Sequence, residues 1–286
     1  MEISTHKLSD GIVLTLRSPK DRTKTPMIIL CNGFCGIREI LLPEVAEAFT
    51  YAGFSTITFD YRGFGDSDGE RGRLVPAMQI DDIISVVNWA KELSTLDENR
   101  IGLWGTSFGG CHVFGAAARA PVIKCIVSQM AFADGEEIVT GKMSDTEKQD
   151  FLLTLEKISE KQKSTGKEVF VSVNRILTDE ESKSFFEESR IQYPKMDIRI
   201  PFLTIMETLR YKPALYASRV SSPTLVVIAG QDTVNPPEQG KALFEAVGAK
   251  DKRLYEQSGA HHYDIYSEEH FQQVIGIQTE WFRSYL

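Results

Sequence analysis

The stretch Arg100-Ile101-Gly102-Leu103-Trp104-Gly105-Thr106-Ser107-Phe108-Gly109-Gly110-Cys111-His112-Val113 decides the fold. Arg100 to Trp104 reads as a buried strand, and the alanine-rich run from Phe108 to Arg119 reads as a helix. Between them, Gly105-Thr106-Ser107-Phe108-Gly109 matches G-x-S-x-G. The match alone is weak, because composition supplies it by chance in roughly one chain of this length in ten. Its context is specific: a strand enters and a helix leaves, which is the strand-to-helix turn that a nucleophile elbow requires. Such a turn projects the Ser107 hydroxyl above the sheet edge, and the glycines around it remove Cβ atoms that would collide with the neighbouring strand and helix. The helix N-terminus beneath favours a developing negative charge. A phosphate-binding loop is the poorer reading, since neither G-x-x-x-x-G-K-[ST] nor G-x-G-x-x-G occurs here.

Outward from this unit, apolar runs bounded by turn residues alternate with segments of helical period. A hairpin is expected around Asp10-Gly11, strands over Met27–Cys31, Phe54–Asp60 and Val122–Ser128, and helices over Glu39–Ala52 and Pro76–Leu93. Later, Thr224–Ala229 and Lys252–Gln257 read as strands, Pro237–Val247 as a helix between them, and Glu268–Leu286 as a closing helix. The alternation predicts an α/β fold with a mostly parallel sheet flanked by helices. The pattern breaks once. From Gly141 to Ile200, 23 of 60 residues are charged, against 25% in the whole chain, and strand signals fade. Apolar residues there recur at helical spacing (Phe151, Leu152, Leu155, Ile158, then Phe202, Ile205, Met206, Leu209). The chain is therefore divided into a core formed by residues 1–131 and 218–286 and an inserted helical cap over 132–217.

Composition narrows the function. The 286 residues are 42% hydrophobic, enough for a full core, and 32 Lys and Arg against 40 Asp and Glu leave a net charge of −8. With no basic run interleaved with aromatics, nucleic acid is not an expected partner. The start Met1-Glu2-Ile3-Ser4-Thr5-His6-Lys7 lacks the features of a signal peptide, and no run approaches the roughly 18 apolar residues of a membrane span, so a soluble cytoplasmic protein is expected. Cys31, Cys35, Cys111 and Cys125 do not form a disulfide scaffold or a zinc-site pattern and read as buried thiols. No metal and no organic cofactor is expected.

A serine hydroxyl needs a base to take its proton. Of His6, His112, His261, His262 and His270, only His261 and His262 follow the last strand in a loop that can reach back over the sheet edge. His262 is the first choice and His261 the second. The base needs an orienting carboxylate, and Asp232, in Gly230-Gln231-Asp232-Thr233-Val234-Asn235-Pro236 after an apolar run, fits that role. Asp134 is the competing acid, and Asp264 reads as an anchor for the histidine loop. An oxyanion hole needs two donors, which the backbone N–H groups of Phe108 and Phe34 supply, the latter in Asn32-Gly33-Phe34-Cys35-Gly36. His112, Phe151, Leu155 and Met206 are the candidate lining of a substrate pocket, although a packed core histidine is the first reading of His112.

Four motifs in order resemble the α/β-hydrolase family, and the resemblance covers nearly the whole chain. Asn32-Gly33-Phe34 is similar to that family's oxyanion H-G-x segment with Asn in place of His, and Asp60-Tyr61-Arg62-Gly63-Phe64-Gly65-Asp66-Ser67-Asp68-Gly69 to its R-G-x-G-x-S-x-G loop. The elbow and the Asp232 and His262 loops complete the set. Ser107–Val113 and His262-Tyr263-Asp264-Ile265-Tyr266 more narrowly resemble a subgroup linked to polyketide pathways, near X-prolyl-peptidase-like hydrolases. The combined expectation is a serine hydrolase acting on an acyl ester or thioester, its small-molecule acyl substrate free or carrier-bound. Acyl transfer, amide or peptide cleavage and C–C cleavage use the same residues, and a ligand-binding protein that has lost turnover is the non-enzyme alternative. The charged insertion could cover a pocket or a subunit interface, the latter in a homodimer.

Overall fold

The computed structural model describes residues 1–20 and 24–286. Strands β1 (Glu2–Lys7) and β2 (Val13–Ser18) pair antiparallel in the hairpin expected at Asp10-Gly11. Next come β3 (Thr25–Cys31), α1 (Leu42–Tyr51), β4 (Ser55–Phe59), α2 (Pro76–Lys91), β5 (Leu96–Thr106), α3 (Phe108–Arg119) and β6 (Ile123–Gln129). The following segment carries α4 (Gly135–Thr140), α5 (Asp145–Thr165), β7 (Phe170–Ser172), α6 (Glu180–Gln192), β8 (Arg199–Pro201), α7 (Thr204–Arg210) and α8 (Pro213–Ala217). The chain closes with β9 (Thr224–Ala229), α9 (Pro237–Ala246), β10 (Lys252–Gln257) and α10 (Glu268–Tyr285).

Eight strands form one sheet in the order β1-β2-β4-β3-β5-β6-β9-β10. β2 is antiparallel to β4, and every pair from β4 to β10 is parallel. Both faces of the parallel part are covered, which is why its strands read as continuous apolar runs. In β3, Met27, Ile29 and Cys31 join the cluster under α2 and α3 with Ile83, Val86 and Phe114, whereas Ile28 and Leu30 join the opposite one with Phe49 of α1 and Phe282 of α10. Each such side chain contributes about 1.5–3 kcal/mol on burial.

From β3 the chain steps outward to β4 and then returns to β5 on the other side of β3. This reversal opens a crevice beyond the C-terminal ends of the central strands, where open α/β sheets bind ligands. The loops after β3, β5, β9 and β10 all leave from that edge.

Two expectations need correcting. Helix α1 begins at Leu42 rather than Glu39, because Leu41 takes φ 60° and Pro43, lacking an N–H, belongs in a first turn. The segment between β6 and β9 is not purely helical, since β7 and β8 pair antiparallel there. Strands of three residues are too short to announce themselves by periodicity. Among the described residues, no helix is long and apolar enough to cross a membrane.

Candidate active site

β5 runs directly into Ser107, whose φ of 53° and ψ of −120° lie in a region that side chains other than glycine rarely adopt. Such strain costs on the order of 1–3 kcal/mol and persists only where the surroundings enforce it. They do so here: the Ser107 N–H donates to Gln129 O of β6 at 2.8 Å, and α3 begins at the next residue. A Cβ on Gly109 would sit 2.2 Å from Asn32 O and 2.3 Å from Cys31 O, so the first turn of α3 touches the end of β3. That close crossing brings the turn after β3 beside the serine, with a Cβ on Gly33 only 3.3 Å from Ser107 Cβ.

Two amide donors remain available around this point. Phe108 opens α3, so its N–H has no intrahelical acceptor. Phe34 is the second residue of a turn closed by Gly36 N–H to Gly33 O at 3.1 Å, which leaves the Phe34 N–H outside the turn's own bond. The two phenyl rings meet edge to face at 5.4 Å.

The loop after β9 folds around Asp232. Oδ1 accepts from the N–H groups of Val234 (2.9 Å) and Asn235 (2.8 Å), and Oδ2 accepts from His262 Nδ1 at 2.6 Å. Both side chains are buried. Burial disfavours the imidazolium, but the charge and hydrogen bond of Asp232, with the more distant charges of Glu181 and Asp179, outweigh it and raise the His262 pKa above the ordinary histidine value. His261 is turned away, its side chain 45% exposed, while its N–H donates to Asp264 Oδ2 at 2.9 Å, so Asp264 anchors the loop as expected. The competing acid, Asp134, caps α4 by accepting from the Glu136 and Glu137 N–H groups and is paired with Lys212.

Ser107 and His262 line one cavity of about 660 Å³ with Asn32, Phe34, Phe108 and Asn235. Among the described residues, the hydrogen-bond partner of Ser107 Oγ is the Asn235 amide, which donates to it at 3.3 Å and to Met130 O at 2.7 Å. No direct hydrogen bond joins Ser107 to His262. Behind the elbow, Thr106 Oγ1 and Tyr266 OH lie 2.6 Å apart, and Gln129 and Gln278 extend that contact to Trp104. No three His, Cys, Asp or Glu side chains among the described residues converge as a metal cluster.

The expected pocket set is only partly met. Phe151 lines the cavity, with Phe202 and Ile205 beside it. Leu155 and Met206 do not: Leu155 is buried against Ile205 and Leu209 in a small core on which Phe151, Phe202 and Met206 pack, so these two lie behind the residues that line the cavity. His112 is fully buried beneath the cavity, bonded to Tyr211 OH (2.9 Å) and Gln79 Oε1 (2.8 Å), and burial lowers its pKa to about 3. It is a neutral core histidine. Sequence reading missed Asn235 and Glu181. Asn235 stands three residues after Asp232 and belongs to the same loop. Glu181 reaches the histidine loop from α6, 81 residues away, with no local signal.

This elbow, histidine-aspartate pair and crevice define the class. The chain belongs to the α/β-hydrolase fold family, whose model matches residues 26–269. It is 63% identical over 286 residues, all of both chains, to an uncharacterized 31.7 kDa protein of Escherichia coli described as lying in the traX-finO intergenic region. It is 28% identical over 268 residues to thiohydrolase aneE of Aspergillus aculeatus, covering 88% of this chain and 84% of that one. The polyketide transferase claH of Penicillium crustosum is 23% identical, with 92% and 89% covered. Among solved structures, DcsB in complex with its substrate analogue superposes with a TM-score of 0.84 at 26% identity, over 100% of this chain and 99% of that one. These relatives include one named as a polyketide transferase and one as a thiohydrolase, in keeping with the polyketide-linked part of the resemblance.

Proposed function

We propose that this protein is a serine hydrolase that cleaves an acyl ester or thioester through an acyl-enzyme intermediate. One observation carries the reading: a strained elbow serine and a buried, carboxylate-paired histidine face the same cavity. Ser107 Oγ attacks the acyl carbon as its hydroxyl swings from Asn235 toward His262 and its proton passes to Nε2. Asp232 holds the Nδ1–H tautomer and stabilises the imidazolium. The carbonyl oxygen, now negative, takes hydrogen bonds from the Phe34 and Phe108 N–H groups. The C–O or C–S bond then breaks and His262 returns the proton to the departing oxygen or sulfur. Water attacks the acyl-enzyme, gives its proton to His262, and the acid leaves as Ser107 regains its hydrogen. No step draws on a metal or organic cofactor.

In this reading residues 132–217 act as a cap, and Phe151, Phe202 and Ile205 hold the acyl or aromatic group of the substrate. The thiohydrolase name of one relative supports a thioester. The transferase name of another favours a second reading, in which an alcohol or amine replaces water in the last step. A panel of acyl esters and thioesters from acetyl to decanoyl tests the first. The expected result is Ser107-dependent release of free acid with kcat/KM rising with chain length. Flat activity along the panel removes the acyl pocket, and ester or amide products in the presence of an acceptor move the assignment to transfer.

A further inference from the structure

Helix α6 belongs to the segment between β6 and β9, yet its first turn touches both loops that carry the proposed acid and base. Glu181 Oε2 accepts from the His262 backbone N–H at 3.1 Å. Glu181 Oε1 accepts from the Thr233 hydroxyl and, at 3.4 Å, from the Thr233 N–H, one residue after Asp232. It also lies 3.4 Å from His261 Nδ1. One turn further along α6, the Phe185 ring stacks on Tyr263 with centroids 4.1 Å apart and planes 12° from parallel. A single carboxylate, 22% exposed, thus joins Thr233 to His262 while Phe185 pins the residue after the histidine.

We infer that Glu181 is a positioning residue that holds the Asp232 and His262 loops in register, so that the base is assembled only when α6 is docked over it. The inference rests on the proposed roles of Ser107, Asp232 and His262. Two carboxylate oxygens with several acceptor sites suit this task better than an amide. A glutamine would have to present its NH₂ group to one of the two loops, opposing a donor with a donor. Misalignment of a base by about 1 Å costs up to roughly 10²-fold in rate.

The charge matters as well as the shape. The charged groups acting on His262 are Asp232 from the loop after β9 and Glu181 and Asp179 from the start of α6; on its own loop, Asp264 is turned to the His261 N–H. Removing the Glu181 charge therefore weakens the preference for the protonated imidazole.

The test uses the full chain and a fluorophosphonate, which reports activation of the serine whatever the natural acyl group. The second-order rate of phosphonylation is followed against pH for wild type, Glu181→Gln and Glu181→Ala, with thermal melts of each. The expected result is a plateau rate lowered about three- to tenfold by Glu181→Gln and roughly ten- to a hundredfold by Glu181→Ala, with the acidic limb of both displaced to lower pH. Wild-type rates and an unmoved limb, even with a lowered Tm, would overturn the inference and leave Glu181 a structural contact. If Glu181→Ala fails to fold, the isosteric Glu181→Gln decides by the same two readouts. Absence of Ser107-dependent labelling in wild type would instead overturn the function on which the inference rests.

Discussion

Strand β9 buries all six of its residues, Thr224 to Ala229, whereas the 21-residue helix α5 buries only Leu155. The strand owes its place to the sheet and the helices on both faces. The helix owes much of its order to its own ends: Ser144 and Glu147 form a capping box, and Gly166 closes it in the left-handed conformation. The same contrast runs through the molecule. The core holds Ser107, Asp232, His262 and the Phe34 and Phe108 amides, to which we assign the proposed chemistry, by close backbone packing. The segment between β6 and β9 meets that site through a few side chains, chiefly Phe151, Glu181 and Phe185. Substitutions in the first region should therefore change whether chemistry occurs, and those in the second should change on what and how fast.

The largest expected effect lies in the core. Asp232→Asn leaves His262 Nδ1 without a carboxylate, and phosphonylation should fall by roughly 10³- to 10⁴-fold. The sign of the accompanying pH effect is fixed. Because Asp232 raises the His262 pKa, the neutral base accumulates in wild type only above the ordinary histidine value, and the acidic limb of residual activity in the variant should move to lower pH. An unmoved limb would separate the titration from this pair.

Next comes Gly109→Ala. With the new Cβ 2.2 Å from Asn32 O, α3 must retreat from β3. We expect a stability loss of at least about 1–3 kcal/mol, read as a lowered midpoint in denaturant, together with loss of labelling. A variant that keeps its stability and its labelling would show that the crossing is looser than described.

Two neighbouring residues of α5 sharpen the comparison from the other side. Leu155→Ala empties the small core against Ile205 and Leu209, and should cost about 2 kcal/mol while leaving the order of acyl substrates unchanged. Phe151→Ala widens the cavity wall and should shift chain-length preference, at a cost in Tm smaller than that of Leu155→Ala because Phe151 packs on that core only from its half-buried edge. The smallest effect is expected at Lys195, which bridges the inserted segment to Glu39 and Asp66 and is 40% exposed. Its replacement by alanine should cost under about 1 kcal/mol, less in high salt.

What the sequence disclosed follows the same division. α3 and β9 coincide with their expected limits because glycines, alternating apolar residues and a strand-to-helix turn are local signals. Ser107, Asp232 and His262 are candidates on sequence because each stands in a loop at a strand's C-terminal end, and the structure brings the last two into a 2.6 Å contact. Helical spacing identified the apolar stripe through Phe151 and Leu155 but not how far along it the cavity reaches. That Phe151 reaches the cavity while Leu155 is covered depends on α7, whose Ile205 and Leu209 lie 50 and 54 residues beyond Leu155. His112 carries no sequence mark to separate a core histidine from a pocket one; Gln79 and Tyr211, 33 and 99 residues away, decide it. The Asn235 contact with Ser107 spans 128 residues. Long-range polar contacts of single side chains have no periodicity to betray them.

The central claim is that the elbow activates Ser107 as a nucleophile. Intact-mass analysis after exposure to a fluorophosphonate tests it most directly, on wild type and Ser107→Ala in parallel. The account predicts one phosphonyl adduct on the wild-type chain and none on the variant. An unmodified wild-type chain, or an adduct that survives in Ser107→Ala, would contradict it.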